Sequence, residues 1–326
     1  SGLPAVADEE LDPMLFCFMF TGRVCVPKFY PMRLPRLILV TGKGGTGKST
    51  CAAALALALS RRRPTSLADL NRDFAAPRIF EIMPPSDHKP LAIAENLEAV
   101  ALSPRAELEA FIHRIVPLKA ISRRMLGSRT FGYVTAALPG LEAFLMLERL
   151  RMLAGQAALE DRYVVVDAPA SGGAIELLSV ARGVRELAPV GTLNRLAAEV
   201  ESFLSDEHLF GVLLTAAPEM LAILEAIETA SVMTTRLHVN VLGAILNTAV
   251  EPLFESEELE ANGAPGAHRR LAHRRTHLGH ETERARAKLS AAKLKCVELP
   301  MIFAPLIGPA EIARLADRFE RQGMHA

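Results

Sequence analysis

Neither sign of charge is in excess: 37 lysines and arginines face 37 aspartates and glutamates over 326 residues. Without a net field, nothing draws the chain as a whole to nucleic acid or to an anionic membrane. Nucleic acid is therefore not expected as the main partner. Cysteine is scarce, and Cys17, Cys25, Cys51 and Cys296 include no close CxxC pair. That excludes a zinc clip and a dithiol redox motif of the usual spacing, and it fits a reducing, cytoplasmic setting. No apolar run reaches the roughly 20 residues that a membrane helix needs. The short apolar stretch "MLFCFMF" has no basic segment ahead of it, which argues against a signal peptide. There is no internal repeat.

Apolar residues, by contrast, make up 50% of the chain, enough for one large α/β domain or two small ones. Short runs rich in Val, Ile and Leu lie at 36–42, 97–103, 163–169, 211–217, 241–249 and 295–300. Such runs suit strands buried on both faces, and helical stretches separate most of them. The expectation is a doubly wound, mostly parallel α/β sheet. Residues 1–31 read as an N-terminal extension, disordered or an upstream over-read of the gene, because Met32 opens the patterned chain. Residues 32–326 then form the domain.

Two intervals depart from the alternation. From about 104 to 160 the pattern is helical with no strand, and apolar residues exceed what one buried face uses. This helical insert either packs on the sheet or offers an apolar, Met-containing surface to a hydrophobic protein client. From 262 to 295 the chain reads as a basic helix with His268, His273, His277 and His280. Interleaved arginines repel a cation, so a solvated helix is expected rather than a metal site.

The segment with the plainest chemistry is "LILVTGKGGTGKST". Gly42-Lys43-Gly44-Gly45-Thr46-Gly47-Lys48-Ser49 fits G-x-x-x-x-G-K-S/T, with Thr50 next, between a predicted strand and a predicted helix. Glycines let backbone N–H groups curl around phosphates, and the helix N-terminus adds positive potential. Lys48 is expected on the β- and γ-phosphates of ATP and Ser49 on Mg2+. "YVVVDAPASGG" ends a hydrophobic strand in Asp167, where a carboxylate holds Mg2+ through water. Pro169, Gly172 and Gly173 then read as a loop able to respond to the γ-phosphate.

Lys43 adds a resemblance. K-G-G-x-G-K-S/T arrays are similar to those of the deviant Walker A ATPases, which include the ParA, MinD, nitrogenase iron protein and ArsA groups. The resemblance implies that Lys43 contacts nucleotide across a dimer interface, as an arginine finger does. From about 34 to 320 the chain resembles ArsA-type ATPases, among them arsenite-pump ATPases and factors that target tail-anchored membrane proteins. The resemblance rests on "VVVDAPASGGAIELLSVAR", "GVLLTAAPEMLAILEAIETASVM", "GAILNTAVEPLFESEELE" and "VELPMIFAPLIGPAEIARLAD".

That resemblance implies that Asn247 reads the adenine edge and that Pro300, Met301 and Ile302 lie near the base. It aligns Asp69 with the aspartate that positions the attacking water, with Asp73 as a rival. It also sets the helical insert where the targeting factors carry a client groove. Leu70, Asn71 and Arg72 depart from the family's first switch, and Gly173 stands where histidine is usual. Both departures bear on turnover more than on binding. No cysteine cluster matches an arsenite site, so arsenite is not expected. The function implied is a Mg-ATP-hydrolysing switch, a homodimer or a heterodimer with a paralogue, that couples nucleotide state to a protein client and meets membranes only indirectly. The alternatives are a slow or inactive nucleotide-binding subunit of a heteromeric ATPase and a ParA/MinD-like positioning ATPase. The latter would need a basic surface or a terminal amphipathic helix, and 308–326 is read as lacking a bulky apolar face.

Overall fold

The computed structural model describes residues 34–71, 74–83, 90–115, 140–251 and 266–324. Among them the strands are β1 (Leu37–Gly42), β2 (Thr65–Asp69), β3 (Leu91–Ala94), β4 (Leu97–Ala101), β5 (Tyr163–Asp167), β6 (Phe210–Ala216), β7 (Val241–Ala249) and β8 (Cys296–Pro300). The helices are α1 (Lys48–Ser60), α2 (Ala75–Ile79), α3 (Pro104–Ile115), α4 (Leu141–Leu159), α5 (Ser171–Leu187), α6 (Thr192–Ser205), α7 (Met220–Thr235), α8 (Gly266–Ala291) and α9 (Pro309–Arg321).

One sheet runs in the order β3-β4-β2-β5-β1-β6-β7-β8, and every pair is parallel except β3 with β4. This is the expected doubly wound α/β architecture. Side chains alternate across it, as strand geometry requires. Leu37 and Leu39 face the layer of α3 to α8, whereas Ile38 and Val40 face α1, α2 and α9. In β7 the alternation slips once, because the register with β6 shifts between Val212 and Leu213. Gly243, at φ 149, sits at that irregularity, a place where a strand glycine is common.

Two strands lie outside the apolar runs read from sequence. β2 is "TSLAD", too short and polar to signal itself, yet it is buried throughout between β4 and β5. Ser66 hydrogen-bonds Glu98 at 2.8 Å, which keeps its hydroxyl satisfied there. β3 forms a hairpin with β4 around Asn96 at φ 53, a left-handed position that asparagine tolerates.

The interval 104–160 is helical where it is described. Leu108 and Phe111 of α3 join Phe144, Leu147 and Leu150 of α4 in the main core cluster, the last three without exposed surface. These side chains pack into the core, whereas Met152 and Leu159 of α4 are exposed, and residues 116–139 lie outside the described residues. All four histidines of α8 are exposed, and no metal-binding cluster of histidine, cysteine or carboxylate occurs among the described residues. No described helix is long and apolar enough to cross a membrane.

The C-terminal helix corrects its sequence reading. α9 does have an apolar face, Ile312, Leu315, Ala316 and Phe319, and that face is fully engaged with α1 and the sheet. Glu311 accepts the Gly308 N–H at 3.2 Å and caps the start, beside Pro309 at the first helical position. α1 is buried over nearly all its surface between the sheet and α9, which its alanines permit by letting backbones approach closely. Removing the Phe319 ring should leave a cavity that this layer cannot close. Phe319→Ala is expected to lower stability by about 3–5 kcal/mol, read as a shift of the urea unfolding midpoint at constant slope.

Candidate nucleotide-binding site

β1 ends at the carboxyl edge of the sheet, with β5 on one side and β6 on the other. The chain must turn there within a few residues to enter α1. Gly42, at φ 151, makes the turn so close to β6 that a Cβ would meet the Thr215 carbonyl oxygen at 2.1 Å. Gly47, at φ 84, starts α1, and a Cβ there would meet Asn247 Nδ2 at 2.3 Å. Gly44 and Gly45 lie on the opposite, open side, exposed and with nothing near a would-be Cβ. The loop is thus clamped from below and open above, the shape that lets peptide N–H groups reach phosphate oxygens.

Side chains fix that shape. Thr46 Oγ1 donates to the Lys43 carbonyl at 2.8 Å and lies 2.9 Å from Thr215 Oγ1. Thr215 in turn donates to the Thr41 carbonyl at 3.1 Å, and Thr41 Oγ1 donates to the Pro169 carbonyl at 2.6 Å. Lys48 Nζ folds back to the Lys43 carbonyl at 3.4 Å. Asn247 Nδ2 donates to the Thr46 carbonyl at 2.9 Å. Thr41 and Thr215 were not singled out in the sequence. Their signal is a polar residue at the carboxyl end of a strand buried along its whole length.

The two carboxylates lie on adjacent strands in register, Asp69 beside Asp167. Their surroundings differ. Asp69 accepts the backbone N–H groups of Asn71 and Ala75, both at 2.8 Å, and the Asn71 amide at 3.1 Å. Asp167 is equally buried, but its Oδ1 has no hydrogen-bond partner among the described residues. Burial, and secondarily the Asp69 charge, push the Asp167 carboxyl up to about 6, against opposing pulls from the Ser49 hydroxyl, Lys48 and Asn71. An orphaned carboxylate oxygen beside a serine hydroxyl is an oxygen donor set that suits Mg2+. Ser49 and Asp167 therefore fit the ion that the loop's chemistry calls for.

The remaining predicted positions fall as follows. Ser49 and Thr50 open α1, half-buried. Pro300 and Met301 lie at the carboxyl end of β8, where Met301 N–H donates to the Ala249 carbonyl at 2.9 Å. Gly172 and Gly173 are not in a loop but in the first turn of α5, so the segment after Asp167 is only three residues long. Asp73 lies outside the described residues. Cys51 and Cys296 are both buried, and burial pushes the Cys51 thiol far up and the Cys296 thiol up to about 12.

With this geometry in place, comparison with known proteins defines the class. A sequence model of the ArsA-type ATPase family, described as anion-transporting ATPase, matches residues 35–259. The chain belongs to this family and is an ATPase of the P-loop fold. The match stops short of residue 320, where the motif resemblance ends, although β8 and α9 continue the same sheet and layer. ATPase BagA of Mycobacterium tuberculosis is 28% identical over 249 residues, covering 73% of this chain and 72% of its own. A protein of Mycobacterium bovis named as an ATPase matches to the same extent. A Chlorobaculum tepidum protein named as an arsenical pump-driving ATPase is 30% identical over 148 residues, 44% of this chain and 35% of its own.

The Asp167 environment has a measurable consequence. Its folded carboxyl at about 6 stands above the ordinary 3.8, so the folded state holds a proton that the unfolded chain has released. The stability from this group is present below about pH 4 and is lost as pH rises through about 6, a change on the order of 3 kcal/mol. Thermal melts of the nucleotide-free protein between pH 4 and 7 should show this slope, and Asp167→Asn should remove it. Binding of Mg-ADP should change in the opposite sense, weakening as pH falls through 6 because the proton competes with the ion.

Proposed function

We propose that this ATPase is a Mg-ATP-dependent dimeric switch in which Lys43 serves the nucleotide of the neighbouring subunit. The observation that supports it most is the split between the two loop lysines. Lys48 folds back over its own loop, and among the described residues Lys43 enters the loop's hydrogen bonding through its backbone carbonyl. Beside Lys43 the exposed Gly44 and Gly45 leave the front of the loop open. Met220, Leu221 and Leu224, 41%, 70% and 46% exposed at the start of α7, follow β6 at the same edge of the sheet and suit a subunit contact.

In this reading Lys48 neutralises the β- and γ-phosphates, and Ser49 directly and Asp167 through water would hold Mg2+, which would supply charge compensation on the transferring group. Gly42, Gly44, Gly45, Thr46, Gly47 and Thr50 cradle the phosphates, and Asn247 with Pro300 and Met301 receives the adenine. Asp69 orients the attacking water. The hydrogen bonds that already engage both of its oxygens favour slow turnover, the behaviour of the runner-up reading, a weakly hydrolysing subunit paired with a paralogue. The short link from Asp167 to α5, pinned by Thr41, ties the nucleotide to a helix packed on α4 of the insert. That is the route by which nucleotide state would reach a hydrophobic protein client.

Light scattering of the purified protein in Mg-ADP and then in a non-hydrolysable Mg-ATP analogue tests the switch. A doubling of molar mass with the analogue alone is expected. Lys43→Ala should abolish the doubling while leaving monomer affinity for Mg-ADP within about twofold, since the lost contact lies across the interface. A Lys43→Ala protein that still dimerises with the analogue refutes the trans role.

A further inference from the structure

Residues 168–170 join Asp167, at the end of β5, to the start of α5. This link is tied at three points. The Ala168 N–H donates to the Val40 carbonyl at 3.0 Å, and the Pro169 carbonyl accepts Thr41 Oγ1. Both of these ties lead to β1, a fully buried strand inside the sheet. The third leads elsewhere. Ser171, the first residue of α5, is 4% exposed, and its hydroxyl donates to the Glu225 carboxylate of α7, 54 positions further along the chain.

Ala170, the residue before α5, brings no side-chain cap. Glu225 instead sets a carboxylate from another helix beside that N-terminus, where aligned peptide dipoles favour negative charge. A buried hydroxyl that lost this acceptor would carry a desolvation cost. The first turn of α5 is also packed against the link, since a Cβ on Gly173 would meet the Pro169 side chain at 3.1 Å. On α7, Glu225 stands one turn after Leu221 and next to Leu224, both exposed. Residues four apart share a helix face, so Glu225 adjoins the apolar patch at the start of α7. We propose that Ser171 and Glu225 are positioning residues that join the Asp167 link to this patch. A displacement of the link on nucleotide binding reaches the start of α7 through their hydrogen bond, because the ties to β1 end on a strand held on both sides. The inference rests on the subunit contact proposed above for α7 and names what makes that contact depend on nucleotide.

Hydrogen exchange of segment 218–226 in the full-length protein, with and without saturating Mg-ADP, tests the joint. In the wild-type protein Mg-ADP should change the exchange of this segment by about fivefold or more, the lower end of coupling between two sites. Ser171→Ala and Glu225→Ala should each reduce that change to less than about twofold, since the coupling energy is then lost. Calorimetric binding of Mg-ADP to each variant certifies that it folds, and if one alanine variant does not, the other decides. Glu225→Gln, whose amide oxygen still accepts the hydroxyl, should keep the response. A merely structural role would loosen α7 to the same degree with and without nucleotide. A wild-type segment that ignores Mg-ADP, a response that survives both alanine substitutions, or a Glu225→Gln protein without the response overturns the proposal. Failure of the subunit contact itself reads out separately, as a wild-type mass that does not double with the ATP analogue while the Mg-ADP response of α7 persists.

Discussion

The turn from β1 into α1 passes so close to β6 and β7 that two positions in it admit no side chain. Gly42 lies against the Thr215 carbonyl, and Gly47 lies against the Asn247 amide. The rest of the molecule keeps this approach in place. β1 is held in register on both sides, Val40 beside Asp167 and Gly42 beside Thr215. α1 is pressed onto the sheet by the apolar face of α9. Because the strands are parallel, their carboxyl ends share one edge, and Thr41, Asp69, Asp167, Thr215 and Asn247 arrive there together. Ligands of open α/β sheets bind at such an edge, where strand order reverses about the first strand.

Electrostatics divide the labour at that edge. Asp69 and Asp167 are neighbours of the same type, yet one accepts N–H donors on both oxygens and the other keeps an oxygen without a partner among the described residues. Environments that differ in this way separate the proton affinities of paired carboxylates and assign them different tasks. Both carboxylates close their strands, so position alone does not distinguish them. The missing donor on Asp167, among the described residues, is what sets it apart from Asp69.

Much of the fold was legible in the chain because buried parallel strands are apolar runs, and six of them announced themselves. β2 did not, since Thr65, Ser66 and Asp69 are buried polar residues, and the Ser66 hydroxyl finds its partner on another strand. The insert's apolar excess could be read two ways, and its described helices put Phe144, Leu147 and Leu150 in the core while Met152 and Leu159 stay exposed. The face of α9 was missed because its apolar residues are few and spread among charges in sequence, although they gather on one side of the helix.

The phosphate loop was determined by the sequence itself, since eight consecutive residues carry its glycines, both lysines and the serine. Its conformation depends chiefly on local φ angles, which short-range sterics decide. Tertiary structure alone decided the rest. Asn247 meets Thr46 across 201 positions, and Thr46 meets Thr215 across 169. Which buried polar atoms find partners, and which remain open for an ion or a ligand, follows from distant segments sharing one low-dielectric interior, and no stretch of chain encodes that by itself.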